Sequence, residues 1–213
     1  VDGVQLHGAH GYLFSSFMSP FYDHKDDEYG CNDEGRIRFV LETAEAIRKS
    51  CGNDFSVMIK MNGNDFLPNG VTPDLASKYV NLMKGKIDLF EISCGCNEIA
   101  TVRPDTTKRK LFDFAYGMEF KQGYTLSFAE VIKKKNPDAI VASVGGFRDA
   151  KKMEEAVNKG MIDVVSMARP LIREPNLVKK IKSNPNTKAA CISCDYCLLN
   201  VENDPRGLMC DYP

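Results

Sequence analysis

A repeated alternation of short apolar segments and amphipathic segments is the feature that most constrains how this chain can fold. Five segments rich in Val, Ile, Leu, Phe and Met recur without polar alternation, at residues 1–7, 55–62, 87–93, 139–146 and 162–169. Continuous apolar runs of this length predict strands covered on both faces, as in parallel sheets. Between them, apolar residues at three- and four-residue spacing predict helices over residues 35–50, 72–84, 127–135 and 149–159. The sequence therefore predicts an α/β fold built from repeated βαβ units.

Two of these helices carry capping signals at their starts. Thr72 precedes Pro73, which suits an N-cap followed by the first helical position. Asp149 stands in the corresponding place before the helix that follows the fourth strand. We expect both side chains to accept hydrogen bonds from backbone N–H groups of the first helical turn.

Two architectures fit this pattern, an open doubly wound sheet and a (β/α)8 barrel. No predicted strand is followed by the G-x-G-x-x-G fingerprint of a nucleotide-binding open sheet. Polar residues instead lie at or just beyond the predicted strand ends, where barrel enzymes build their sites: His7, Asn62, Ser93, Gly145 and Arg169. The sequence therefore favours the barrel.

The length of 213 residues is short for a complete barrel, which needs roughly 250. Five predicted strands cannot close one, and the chain begins at Val1, inside the first predicted strand. We therefore expect residues 1–185 to form the last five of eight βα units of a longer polypeptide. About 130 to 150 residues upstream would supply the first three units. Such a five-unit piece is expected to be inactive alone.

Composition narrows the class of protein further. Hydrophobic residues make up 43% of the chain and charged residues 27%, which is typical of a globular domain and excludes disordered, collagen-like and coiled-coil chains. The net charge of −1 excludes the electrostatic pattern of a protein that mainly binds nucleic acid. No apolar run approaches the roughly 18 residues that cross a bilayer, and no signal-peptide pattern opens the chain. We expect a cytoplasmic protein with no membrane or nucleic-acid partner.

Two of the three histidines lie at the end of the first predicted strand, in the segment QLHGAHGYLFSSFMSP. His7 and His10 are three residues apart and Tyr12 follows two residues later, so the three side chains can converge over one mouth of a barrel. A lone histidine is more often a hydrogen-bonded core residue than a functional one. Because two histidines and a tyrosine share six residues at a strand end, we interpret them as a functional cluster.

Two later motifs predict a phosphate site. Gly145 and Gly146 lie between a strand and a helix, and Arg169 ends the next predicted strand. Glycines let backbone N–H groups approach a phosphate, a helix N-terminus adds its dipole, and arginine supplies a bidentate fork. Arg173 either assists or is a surface charge.

The last 23 residues contain four of the eight cysteines, spaced C-x2-C-x2-C-x12-C: Cys191, Cys194, Cys197 and Cys210. Four thiolates in a short segment predict a soft-ligand site for zinc or an iron–sulfur cluster, with simple reduced thiols as the alternative. Residues 186–213 are therefore expected to form a cysteine-rich segment after the barrel. Cys94 and Cys96 are predicted to line the barrel rim, because a single residue between them makes them poor partners for one metal.

The motifs HGAHGYL, FMSP, DEYG and GRIRF together resemble the Old Yellow Enzyme family of flavin-dependent ene-reductases. The resemblance is closest to the branch that contains bacterial 2,4-dienoyl-CoA reductase and related NADH:flavin oxidoreductases. It covers essentially the whole chain, in the order expected from the fourth barrel strand onward. It implies a TIM barrel, bound FMN and NAD(P)H as the reductant.

The resemblance also implies roles for the histidine cluster. His7 and His10 match the pair that hydrogen-bonds the substrate carbonyl oxygen, and Tyr12 matches the proton donor. Hydride addition to the β-carbon of an α,β-unsaturated carbonyl places negative charge on oxygen, which imidazole N–H donors stabilise, and a phenol can protonate the α-carbon.

Cofactor-binding residues follow from the same resemblance. Arg36 matches the arginine that lies against the flavin pyrimidine edge, and Arg38 is the competing candidate. Lys60 is a further candidate for a residue facing the cofactor. Gly145, Gly146 and Arg169 match the site for the FMN phosphate.

In the dienoyl-CoA reductase branch a similar cysteine group holds a 4Fe-4S cluster that connects FMN with FAD in a further domain. The pattern of that branch is C-x2-C-x3-C-x11-C, so the third cysteine here lies one residue earlier while the total span is unchanged. The resemblance therefore implies a 4Fe-4S cluster and an FAD-binding domain beyond this chain. A homo-oligomer is a separate expectation.

The leading hypothesis is an FMN-dependent oxidoreductase that uses NAD(P)H to reduce activated C=C bonds of enones or enoyl thioesters. A second hypothesis is a non-catalytic, metal-stabilised barrel or binding protein, which the displaced cysteine favours. A third is a flavin-free phosphate-binding barrel lyase or isomerase, which leaves the histidine cluster and the cysteines unexplained.

Overall fold

The computed structural model describes residues 1–96, 121–194, 197 and 205–210. Its strands are β1 Gly3–Gly8, β2 Ser56–Asn62, β3 Leu89–Ser93, β4 Val141–Val144 and β5 Val164–Ser166. Its helices are α1 Leu13–Met18, α2 Asp33–Cys51, α3 Pro73–Met83, α4 Leu126–Lys135, α5 Ala150–Asn158, α6 Arg169–Arg173 and α7 Leu177–Ser183. The predicted alternation of strands and helices is confirmed along the described residues.

The five strands form one parallel sheet in the order β1-β2-β3-β4-β5. An open doubly wound sheet reverses its strand order at a switch point, and this sheet has no reversal. Strands that neighbour each other in chain order, each followed by a covering helix, are the wall of a (β/α) barrel. Because all five strands are parallel, their carboxyl ends lie at the same end of the sheet.

One face of the sheet packs against the helices and carries the main core. Side chains alternate along each strand, so the residues of β2 and β3 divide between the two faces. The face toward the helices is apolar and buried. Together with the helices that cover it, this face forms a core that includes Ile37, Val40, Val57, Ile59, Met61, Tyr79, Val80, Met83, Phe90, Ile92, Ile132 and Val141. The opposite face, here called the inner face, carries polar residues instead.

Side-chain caps set the helix starts. Thr72 Oγ1 accepts from the Leu75 N–H and Asp149 Oδ1 from the Lys151 N–H, which confirms both predicted caps. Helix α2 begins at Asp33, two residues before the predicted start, because Asn32 Oδ1 accepts from the Gly35 N–H. Each such cap contributes about 1 kcal/mol to helix stability.

The last two strands are shorter than predicted. Strand β4 begins at Val141 because the Ala139 N–H donates to the Asn136 carbonyl at the end of α4. Strand β5 ends at Ser166, and Arg169 is the first residue of α6, with Pro170 next to it. Proline is well suited to a first helical turn, so the predicted placement of Arg169 at the end of a strand is wrong by three residues.

The short helix α1 follows Tyr12 and was not predicted, because six residues are too few to show a helical period. Among the described residues, none of the helices is long and apolar enough to cross a bilayer.

Candidate active site

The predicted histidine cluster of His7, His10 and Tyr12 comes together in the structure. The ring centroids of His7 and His10 are 5.3 Å apart, and those of His7 and Tyr12 are 5.2 Å apart. His7 lies on the inner face near the end of β1, and Tyr12 is the N-cap residue of α1. Nearly half of the Tyr12 surface, 49%, is exposed, so its phenol can meet a ligand.

Both imidazoles are held neutral at physiological pH. Burial, and then the neighbouring His7 and Lys60, lower the pKa of His10 to about 4. Burial and Lys60 also lower the pKa of His7, against a smaller opposite effect of Glu91. A neutral imidazole has one N–H donor and one acceptor nitrogen, so hydrogen bonds decide which nitrogen carries the proton.

A charged row crosses the inner face beside His7. The strand register places His7 opposite Lys60, and Lys60 opposite Glu91. Lys60 Nζ lies 3.6 Å from Glu91 Oε2, which also accepts a 2.8 Å hydrogen bond from Gln5 Nε2. The cation therefore lies next to the histidine cluster.

Glu91 also reaches across β4. Its Oε1 accepts a 2.5 Å hydrogen bond from Ser166 Oγ of β5, and the residue opposite Glu91 on the intervening strand is the small Ala142. Glu91 is 4% exposed and was missed in the sequence. The signal was available, since Glu91 is the only charged residue within residues 89–93, where three of the other four residues are apolar.

Asn62 and Asp65 form a buried network behind the cluster. Asn62 Nδ2 donates to Asp65 Oδ1 at 2.7 Å and to the Gly95 carbonyl at 2.8 Å. Asp65 Oδ2 accepts from Ser19 Oγ at 2.6 Å and from the Val71 N–H at 2.8 Å. The network fixes the loop after β2 against the ends of β1 and β3.

Arg36 and Arg38 lie in the helical layer. Arg36 forms a 3.1 Å ion pair with Asp33 and a hydrogen bond with the Tyr79 phenol, and its Nε is buried without a partner. Arg38 Nε donates to the Glu28 carbonyl at 2.9 Å. Within the described part of the chain, neither guanidinium contacts the histidine cluster. The structure brings Lys60, rather than either arginine, to that cluster.

The glycines predicted to hold phosphate form a tight turn after β4. Gly146 has a φ of +66°, and a Cβ built there would lie 2.2 Å from the Lys121 carbonyl oxygen. The N–H groups of Arg148 and Asp149 donate to Gln122 Oε1 at 3.1 and 3.0 Å. These glycines thus have a packing role of their own. The start of α5 is capped by Asp149, so a phosphate here would depend on the glycine amides more than on that helix end.

The four C-terminal cysteines line one small cavity, here called the cysteine cavity. Its lining residues are Arg169, Arg173, Cys191, Ile192, Ser193, Cys194, Cys197 and Cys210. Arg173 Nη1 donates to Cys210 Sγ at 3.4 Å. Among the described residues, no three His, Cys, Asp or Glu side chains are arranged to hold a metal ion. The donor set of four sulfurs beside two cations suits an anionic thiolate site, although the sulfurs do not adopt ligand geometry here.

The cysteine cavity and the glycine turn are in contact. Arg148 Nη1 donates to Ser193 Oγ at 3.1 Å, and the Ala189 N–H donates to the Arg148 carbonyl at 2.7 Å. Arg169 and Ser193 both line the cysteine cavity, so Arg169 lies at the cavity that Arg148 connects to the glycine turn.

Cys94 and Cys96 directly follow β3, at the carboxyl end of that strand. Both are buried, and Cys96 forms an isolated parallel bridge with His10. Cys96 Sγ donates to the Asp65 carbonyl at 3.6 Å.

A parallel sheet in chain order, with imidazole, phenol and ammonium groups at the carboxyl ends of its strands, defines the class of (β/α)-barrel enzymes. The model of the NADH:flavin oxidoreductase / NADH oxidase family matches residues 1–188. The chain belongs to this family, which confirms the resemblance noted in the sequence.

Relatives and a solved structure agree with this assignment. Over 91% of its own length, the chain is 31% identical to an NADH oxidase of Thermoanaerobacter brockii. Over 95% of its own length, it is 29% identical to a cinnamate reductase of Clostridium sporogenes. The structure of 2-naphthoyl-CoA reductase with 2-naphthoyl-CoA matches 91% of the chain with a TM-score of 0.77 and 27% identity. The chain spans 28% of the NADH oxidase, 31% of the cinnamate reductase and 28% of the reductase structure.

Proposed function

We propose that this chain supplies the substrate face of an FMN-dependent oxidoreductase that reduces activated C=C bonds with electrons from NAD(P)H. The observation that carries the proposal is the convergence of His7, His10 and Tyr12 at the carboxyl end of β1, beside the Lys60 ammonium. The membership of the chain in a flavin oxidoreductase family supports the same reaction class. We also propose a cytoplasmic location, which the eight free thiols support.

The residues of the inner face suit a flavin. FMN, when bound, supplies the hydride that adds to the β-carbon of the substrate. Lys60 is the cation beside the histidine cluster. We propose that Lys60, rather than Arg36, stabilises negative charge on the reduced flavin ring. Gly145 and Gly146, with Arg169, are proposed to hold the phosphate.

The chain's own residues carry the remaining chemistry. The N–H groups of His7 and His10 would bind the substrate carbonyl oxygen and stabilise the negative charge that develops there. The exposed Tyr12 phenol would give its proton to the α-carbon. Because both imidazoles are neutral, they can donate a hydrogen bond without losing a proton to the product.

The proposed substrate class is based on the number of hydrogen-bond donors in the cluster. Two N–H donors suit the single carbonyl oxygen of an enone, an enoic acid or an enoyl thioester. The names of the cinnamate reductase and the 2-naphthoyl-CoA reductase point to conjugated aromatic acids and their thioesters. We propose this class for the whole protein, with a further FAD-binding domain.

The test uses the full-length protein loaded with FMN, with NADH or NADPH, 2-cyclohexen-1-one and cinnamoyl-CoA as probes. We expect reduction of at least one probe and a loss of about 10²-fold or more in kcat/KM when His7 and His10 are both changed to alanine. Lys60→Ala is expected to weaken FMN binding, measured by flavin fluorescence, more than Arg36→Ala does. Unchanged enone reduction in the double histidine variant would favour a non-catalytic role for the cluster.

A further inference from the structure

The backbone of His10 is held in an unusual conformation by a neighbouring strand. Its φ is +67°, in the left-handed region that residues other than glycine seldom adopt. The His10 N–H donates to Asn62 Oδ1 at 3.3 Å. The Asn62 amide is itself oriented, because its Nδ2 donates to two buried acceptors, Asp65 Oδ1 and the Gly95 carbonyl. The buried network behind the cluster therefore fixes the backbone of His10, and with it the position of the Cα atom that carries the imidazole.

The ring of His10 is held separately by Ser93. His10 Nε2 lies 2.7 Å from Ser93 Oγ at the end of β3, and the serine is 5% exposed. A hydroxyl can donate to an imidazole nitrogen or accept from it, so this contact allows two arrangements. In one, Ser93 donates to Nε2 and the ring proton is on Nδ1. In the other, Nε2 carries the proton and donates to Ser93.

We propose that Ser93 and Asn62 are positioning residues that hold His10 as a donor through Nδ1, with the Ser93 hydroxyl donating to Nε2. The inference rests on the proposed function, since only this tautomer leaves His10 with an N–H for a substrate oxygen. In the other tautomer the only N–H donates to Ser93. The lone pair of Nδ1 would then face a substrate oxygen on which negative charge develops. Asn62 fixes the backbone and Ser93 fixes both the ring orientation and the tautomer.

The test measures the tautomer directly. Histidine ring ¹⁵N chemical shifts of the full-length FMN-loaded protein distinguish Nδ1–H from Nε2–H, with the His10 signals assigned by their loss in His10→Gln. We expect Nδ1–H in the parent protein and a shift toward Nε2–H in Ser93→Ala. Ser93→Thr keeps the hydroxyl and should restore the parent spectrum. Ser143→Ala removes another buried strand hydroxyl, one bonded to Thr125, and should change neither the tautomer nor the reaction.

Kinetics provide a second readout. Ser93→Ala should lower kcat for enone reduction about tenfold with a smaller change in KM, because the lost donor acts mainly on the developing charge. Asn62→Ala should lower kcat similarly and broaden or shift the His10 signals. An Nε2–H tautomer in the parent protein, or an unchanged tautomer and kcat in Ser93→Ala, would overturn the inference. If His10→Gln instead keeps full enone reduction while the parent shows Nδ1–H, the proposed role of His10 in catalysis is wrong and the assignment of Ser93 stands.

Discussion

His7 and Lys60 lie opposite each other on adjacent strands, so a neutral hydrogen-bond donor and a positive charge share one small region of the inner face. The two groups suit different acceptors, since the imidazole can bind a carbonyl oxygen and the ammonium can bind an anionic ring. Glu91 balances the Lys60 charge without contacting the imidazoles directly. Burial and the nearby Lys60 cation both lower the pKa of each histidine, so the two imidazoles stay neutral beside it.

The low pKa of His10 predicts an acid-sensitive fold. Its value of about 4 is below the 6.5 of an unfolded histidine, so between these pH values the unfolded chain binds a proton that the folded chain does not. The free energy of unfolding should therefore fall as the pH drops through this window, by on the order of 3 kcal/mol in total from His10. Urea unfolding of the full-length protein at pH 7 and pH 4.5 measures this loss. His10→Gln should lose clearly less stability over the same interval, and parallel losses in the two proteins would contradict the prediction.

At this scale the sequence indicated the cluster but not its supporting residues. The cluster of His7, His10 and Tyr12 was predictable because all three residues lie within one stretch of six residues at a strand end. The pairing of Lys60 with Glu91 depends on strand register, which local spacing does not contain. Arg36 was favoured because it matches a motif. Its ion pair with Asp33 is local to α2, but its contact with Tyr79 depends on how α2 packs against α3.

The elements themselves were largely predictable. Each of the five strands lies within its predicted segment or extends one residue beyond it, because apolar runs and helix caps are local signals. The ends of β4 and β5 were not predictable, since they depend on hydrogen bonds from α4 and on the start of α6. The same limit applies to the turn after β4, whose glycines were interpreted as phosphate ligands alone.

Gly146 in that turn allows the cost of a steric clash to be separated from the cost of a left-handed backbone, with Gly160 as the matched control. Gly146 and Gly160 have nearly the same φ, +66° and +65°, but a Cβ at Gly146 would lie 2.2 Å from the Lys121 oxygen while a Cβ at Gly160 meets nothing within 4 Å. Gly160→Ala should cost about 1 kcal/mol in the free energy of unfolding, from the left-handed backbone alone. Gly146→Ala should cost about 1–3 kcal/mol more. Equal losses in urea unfolding would show that segment 121–125 yields to the methyl group.

At the scale of the whole molecule, Arg148 joins two regions that the sequence treated as separate motifs. Its side chain contacts Ser193 in the cysteine segment, and its backbone belongs to the glycine turn. The arrangement of the cysteine segment should therefore affect the turn proposed to hold phosphate.

We propose a 4Fe-4S cluster at the cysteine cavity, supported by four sulfurs that line it and by the two arginines beside them. The full-length protein, purified without oxygen, should contain about four iron and four sulfide per chain in addition to flavin. Cys191→Ser combined with Cys194→Ser should remove the iron and weaken FMN binding through Arg148. The exposed Cys31 and Cys51 provide the control, since their replacement by serine should leave the iron content unchanged. One zinc per chain, or no metal, would exclude the cluster.

Glu91 holds three other strands at once, through Gln5 on β1, Lys60 on β2 and Ser166 on β5. It therefore links four strands of the sheet and also balances the Lys60 charge of the site. A substitution at Glu91 would change both the strand contacts and the charge. Altered substrate preference should therefore evolve more readily in the loops at the strand ends, where side chains can vary without breaking these contacts.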